Sequence, residues 1–93
     1  TIDLDGFSSA YAPGVSAPSA LGFTPAAVFP LFEQIAASGK LLSVDVSELN
    51  PTYDQDNITA KLAARCIERI VRTHQRNKVL VAANHPNLFA QDS

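Results

Sequence analysis

The chain has 93 residues, of which 46% are hydrophobic and 17% charged, and a formal net charge of −2. This describes one small globular domain or part of one, not a disordered segment, and a chain of this size buries roughly 60–65% of its unfolded surface. No apolar run approaches the roughly 18–20 residues that cross a membrane, no signal-peptide pattern opens the chain, and the near-neutral charge gives no reason to expect nucleic-acid binding.

The first stretch, TIDLD, alternates: Ile2 and Leu4 point one way, Thr1, Asp3 and Asp5 the other, which predicts a β-strand over residues 1–5. Residues 8–23 form a long run of Ser, Ala, Pro and Gly, and a loop of this length is usually functional when it is ordered. Thr24-Pro25 supplies a helix N-cap and first helical residue, and Gly39 supplies the stop. Pro30 inside that helix should kink it or delay its regular part, while Val28, Leu31, Phe32 and Ile35 lie on one apolar face.

Leu42, Val44 and Val46 alternate with Ser43, Asp45 and Ser47, which predicts a second strand with Glu48 just past its end. Asn50-Pro51 marks a turn, and DQDN at 54–57 reads as turn and cap chemistry, since it lacks the Gly and distal Glu of a calcium loop. Asn57 or Thr59 then caps a last helix running to about Arg76, with Ile58, Leu62, Cys66 and Ile70, flanked by Ala63, Ile67 and Val71, as its buried stripe. Residues 77–93 read as a tail with a short strand at Val79 to Val81. The single cysteine, Cys66, falls in the apolar stripe, so it belongs to the core and not to a nucleophile; having no partner, it is compatible with a reducing compartment.

Strand, loop, helix, strand, loop, helix is the order of an α/β fold with a parallel sheet. Ligands of such sheets gather beyond the carboxyl ends of the strands, where Asp5 and Glu48 both fall. Charge is distributed to match. Through residue 60 there are seven acids and one base, which suits a cation; from residue 61 there are six bases and two acids. Arg65, Arg69, Arg72 and Arg76 share one face of the last helix and read as a solvated face, with Glu68 spaced to pair with Arg72.

On a regular strand the Cα atoms of Asp3 and Asp5 lie ~6.7 Å apart on one face, and two charges at that spacing repel by about 2 kcal/mol at an effective dielectric near 20. A hard divalent cation would offset that repulsion; two solvated carboxylates at a strand terminus are the alternative.

The run TIDLDGFSSAYAPG resembles a metal motif of the ureohydrolase superfamily, the arginases and agmatinases, which reads S-x-D-x-D-x-x-D-P-x-x-x-P-G. Asp3, Asp5, Pro13 and Gly14 match; Thr1 stands for the Ser, and Ser8-Ser9 for the Asp-Pro pair. The continuation APGVSAP is most similar to the formimidoylglutamase branch. SVDVSELNP resembles the superfamily's D-x-x-E-x-N-P block through Asp45, Glu48, Asn50 and Pro51, and TAKLAARCIERI resembles its final helix.

The resemblance implies the C-terminal portion of a three-layer α/β/α, mostly parallel, arginase-like sheet, with residues 1–76 as the domain fragment and 77–93 as the tail. It further implies two Mn2+ per active site, with Asp3 and Asp5 as metal ligands and the remaining ligands outside this chain. Glu48 is implied as the catalytic and substrate-binding carboxylate that grips a cationic nitrogen; Asp45 orients backbone or a ligand. The implied reaction is hydrolysis of N-formimidoyl-L-glutamate to L-glutamate and formamide, with urea-releasing guanidino hydrolysis or a non-catalytic α/β assembly module as alternatives. The superfamily's Gly-Gly-Asp-His and Asp-Ala-His-x-Asp motifs are absent, and His74 and His85 do not replace them, so the chain alone should be inactive. The implied partners are a small-molecule substrate, the rest of the same polypeptide and further copies in a homo-oligomer, in the cytoplasm, with neither nucleic acid nor membrane.

Overall fold

Ile2 and Leu4 are buried and Asp3 is exposed, as the alternating pattern requires. The backbone that produces this is shorter than a five-residue strand. A computed structural model describes residues 1–84. In it, β1 (Ile2–Asp3) pairs in parallel with β2 (Val46–Ser47), in the register Ile2 to Val46 and Asp3 to Ser47. The Ile2 amide adds a 2.8 Å bond to the Asp45 carbonyl. Leu4–Gly6 closes into a 3-10 turn, so Asp5 leaves the strand and the same-face spacing expected for Asp3 and Asp5 does not apply. The second strand is likewise shorter than expected: residues 42–45 carry no ladder, and Leu42 is 98% exposed.

The connection between the strands contains α1 (Pro25–Ala37), which begins where Thr24 was expected to cap it: the Thr24 hydroxyl accepts the Ala27 amide at 3.2 Å. The helix runs through Pro30 without delaying its regular part. It ends at Ser38, whose hydroxyl donates to the Ile35 carbonyl, followed by Gly39 at φ 78°. The inward face is Val28, Phe29, Phe32 and Ala36; Leu31 and Ile35 lie on its flank, more than half exposed.

α2 (Ile58–Asn84) is one continuous helix of 27 residues, about 40 Å long. It replaces both the expected stop near Arg76 and the expected short strand at Val79 to Val81. Nothing in residues 77–84 breaks a helix: Val, Leu and Ala fit either period, and no Gly or Pro intervenes. The remainder of the tail, with His85, lies outside the described residues.

α1 and α2 pack on each other, and together with β1 they enclose one cluster: Leu4, Ala36 and Cys66 fully buried, Ile70 and Ile2 nearly so. Burial pushes the Cys66 thiol pKa up, in keeping with its expected place in the core. Ile58, Ile67 and Val71 were expected in the buried stripe but are about half exposed, because α1 covers a narrower strip of α2. Ile67 and Val71 instead line an apolar groove of about 490 Å³ with Leu42, Val44 and His74. Arg72 pairs with Glu68 at 3.3 Å, as its spacing predicts. Arg69 departs from the solvated-face reading: it crosses to Glu33 of α1, with its guanidinium 5.6 Å from the Phe29 ring centre.

Candidate functional site

The loop from Phe7 to Phe23 returns to its own starting point. Ser8 donates to the Phe23 carbonyl at 2.8 Å, Phe23 to Gly6 at 2.9 Å, and Ser9 to Ser19 at 2.7 Å. Ala12 and Val15 plug its underside, both essentially fully buried. The loop is therefore a compact Ω-type structure tied to the carboxyl end of β1, and not a free segment. The Ser8 hydroxyl accepts the Ala10 amide, which gives it local turn chemistry.

Asp3 ends β1 with its side chain exposed, and its Oδ1 accepts a 2.6 Å hydrogen bond from the Ser47 hydroxyl. Asp5, in the 3-10 turn, is half-buried. Glu48 follows Ser47 directly, so the register places it one step beyond Asp3 at the same edge of the paired strands. Its side chain is exposed and its backbone sits at φ 79°. A residue with a Cβ in this left-handed region carries strain of about 1–3 kcal/mol, which persists only where the surroundings enforce it. Asp45 accepts the Thr1 hydroxyl at 2.9 Å.

The residues just after Glu48 are pinned to the loop that follows β1. The Asn50 amide donates to the Gly14 carbonyl at 2.7 Å, and its side-chain nitrogen donates to the Ser16 hydroxyl at 3.0 Å. Its side-chain oxygen accepts from Thr52 and opens a 3-10 turn at Pro51–Tyr53. The loop after β1 and the segment after β2 are thus stitched together.

Asp54 terminates that segment. Its carboxylate accepts the amides of Gln55 (2.9 Å), Thr59 (2.9 Å) and Ala60 (3.1 Å), so Asp54 caps α2 in place of the expected Asn57 or Thr59. Desolvation works to raise its pKa, but the N–H and hydroxyl groups of Thr59, with the amides of Ala60 and Gln55, outweigh it and hold the carboxyl below its ordinary value. Thr59, fully buried, turns its hydroxyl to the Gly14 amide at 2.8 Å. Gly14 packs so closely on Asp54 that a Cβ there would fall 2.7 Å from the Asp54 Cβ. The D-Q-D-N run carries the cap in its first Asp; sequence reasoning did not connect Thr59 to the loop, because that link spans 45 residues.

As metal donors, Asp3 and Asp5 have the right chemistry, since carboxylate oxygens suit hard divalent cations. Among the described residues, however, no three His, Cys, Asp or Glu side chains gather into a group that could hold a metal ion. The two aspartates can supply part of a ligand set.

An α/β unit whose paired parallel strands carry acidic residues at their carboxyl ends belongs to the class of sheets that bind ligands at that edge. The chain is a member of the arginase family, whose family model matches residues 1–72. It is 58% identical over 71 residues to the formimidoylglutamase of Rhodococcus opacus and 54% identical over 74 residues to that of Nocardia farcinica. These alignments cover 76% and 80% of this chain but only 22% and 24% of the relatives. Among solved structures, an agmatinase of Burkholderia thailandensis described as hypothetical superposes with a TM-score of 0.75 at 32% identity, over 84% of this chain and 25% of its own. The arginase of Bacillus caldovelox superposes with 0.70 at 32% identity, over 74% and 23%. The fold is thus α/β and arginase-like, and no helix of the described residues is long and apolar enough to cross a membrane.

Proposed function

We propose that this chain forms the C-terminal part of a binuclear-metal hydrolase that converts N-formimidoyl-L-glutamate and water to L-glutamate and formamide. The observation that carries the reading is the placement of Asp3 and Glu48 at the carboxyl ends of adjacent parallel strands, in a chain 54–58% identical to two formimidoylglutamases.

In this reading Asp3 and Asp5 hold metal, completed by donors from elsewhere in the polypeptide, with Mn2+ as the ion. When bound, the metals make water nucleophilic at neutral pH. Ser47 fixes one oxygen of Asp3 and so orients the carboxylate toward its ligand. Glu48 accepts hydrogen bonds from the cationic amidine nitrogens of the substrate and holds its carbon in line for attack, which is catalysis by positioning. Residues 1–76 belong to the catalytic domain, the protein works as a cytoplasmic homo-oligomer, and the isolated chain is inactive because too few ligands are present.

The test is turnover of the full-length protein with Mn2+, offered formimidoylglutamate, agmatine and arginine side by side. Formamide release, abolished by Asp5→Ala, is the expected result. Urea release would move the substrate assignment to guanidino hydrolysis. No turnover of any of the three would favour a non-catalytic α/β module.

A further inference from the structure

A single residue, Gly14, joins the first turn of α2 to the segment that follows Glu48. Its N–H donates to the buried Thr59 hydroxyl at 2.8 Å, and its carbonyl accepts the Asn50 amide at 2.7 Å. Thr59 is in turn held by its own amide to the Asp54 carboxylate. The path thus runs from the N-terminus of α2 through Thr59 and Gly14 to Asn50, two residues beyond Glu48.

From this geometry we infer that Thr59 is a positioning residue for Glu48, acting through Gly14 and Asn50 on how the substrate's cationic end is gripped. The inference rests on the reading of Glu48 as the group that binds that end.

Three features separate this from ordinary helix capping. First, the Thr59 hydroxyl serves two partners at once: it bonds to the Asp54 carboxylate that caps α2 and accepts the Gly14 amide, so it links the cap to the loop. Second, Thr59 is fully buried, and its hydroxyl accepts from a residue 45 positions earlier. Without it the Gly14 N–H loses its partner in a place closed to water, and the loop must shift to recover one. Third, Glu48 holds a left-handed backbone at φ 79° that it would leave if the segment after it were released. Such a release displaces the carboxylate without removing it. A displaced group of this kind would grip and align the substrate less well, while Asp3 and Asp5, the residues that would hold metal, keep their own contacts.

The experiment uses the full-length protein loaded with Mn2+ and compares Thr59→Val, Thr59→Ser, Glu48→Gln and the Thr59→Val/Glu48→Gln double variant. Thr59→Val keeps the side-chain shape and removes the hydroxyl; it should lower kcat/KM for formimidoylglutamate about tenfold with Mn2+ affinity unchanged. Thr59→Ser should restore kcat/KM. In the Glu48→Gln background, Thr59→Val should add little, since the group it positions is already disabled.

If kcat/KM is lowered by Glu48→Gln but not by Thr59→Val, or if the two effects multiply in the double variant, the positioning role is overturned and the role of Glu48 stands. If Glu48→Gln leaves kcat/KM unchanged, the reading of Glu48 falls and takes this inference with it. Should Thr59→Val not fold, Thr59→Cys, which keeps the volume and offers only a weak acceptor, gives the same test: an unchanged kcat/KM overturns the proposal.

Discussion

The hydroxyl of Ser47 lies 2.6 Å from Oδ1 of Asp3, so β1 and β2 are joined by a side-chain bond at the level where their ladder ends. It is the point at which a structural pairing becomes a functional one, because the carboxylate it orients is the one proposed to reach a metal.

Ser47→Ala should therefore cost function more than stability. The bond is exposed, and its loss should destabilise the protein by about 0.5–1.5 kcal/mol, or less. Loss of a hydrogen bond that orients a metal ligand typically lowers metal affinity or activity 10–100-fold. Mn2+ titration of the full-length variant beside a urea melt separates the two, and equal metal affinity in parent and variant would refute the orienting role.

Glu48 makes a second prediction through its backbone. At φ 79°, a Cβ is unwelcome whatever side chain carries it, so Glu48→Gly should be more stable than Glu48→Ala by about 1 kcal/mol although both lack the carboxylate. Urea midpoints of the two variants test this. Both should lose activity alike, which separates the strain from the chemistry.

Asp54 sets a pH dependence whose sign is fixed by the direction of its shift. Its folded-state pKa lies below the ordinary 3.8, so its contribution to stability is fully present above that value and is lost as pH falls through the folded-state value. Asp54→Asn should lower the thermal midpoint at neutral pH. The gap between parent and variant should close as pH drops below 3.8; a gap that stayed constant would exclude the carboxylate's charge as its source.

Cys66 should be silent toward thiol reagents. Fully buried, with its pKa pushed up by that burial, it presents neither access nor thiolate at neutral pH. Peptide mapping after iodoacetamide should find it unmodified in the native protein and alkylated after urea unfolding. Native alkylation at the rate of an exposed thiol would contradict the packing of α2 on α1.

Some of this structure is written in local chemistry. Thr24-Pro25 and Gly39 bound α1 because capping and left-handed stops act within a few residues, and the alternation of Ile2, Asp3 and Leu4 sorts inside from outside. The order of elements is enough to bring Asp3 and Glu48 to one edge. What local chemistry does not carry is extent. β1 stops at Asp3 because a strand lasts only as long as its partner pairs with it, and Leu4–Gly6 turn instead. α2 runs on to Asn84 through residues whose composition suits either helix or strand. The cap on α2 falls to Asp54 because Asp56 and Asn57 take φ values of 51° and 60°, a reversal that both residue types tolerate and neither announces.

The bonds that hold the site reach far along the chain: 34 residues for Asn50 to Ser16, 44 for Ser47 to Asp3, 45 for Gly14 to Thr59. During synthesis the early loop thus emerges well ahead of its anchors. At roughly 5–20 residues per second, Gly14 waits about 2–9 s for Thr59 to be added. Through that interval the carboxylates are on a segment with nothing to fix it, so metal captured early would be held loosely and in the wrong geometry. If Asp3 and Asp5 hold metal as proposed, timing alone favours metal uptake after α2 has closed on the loop.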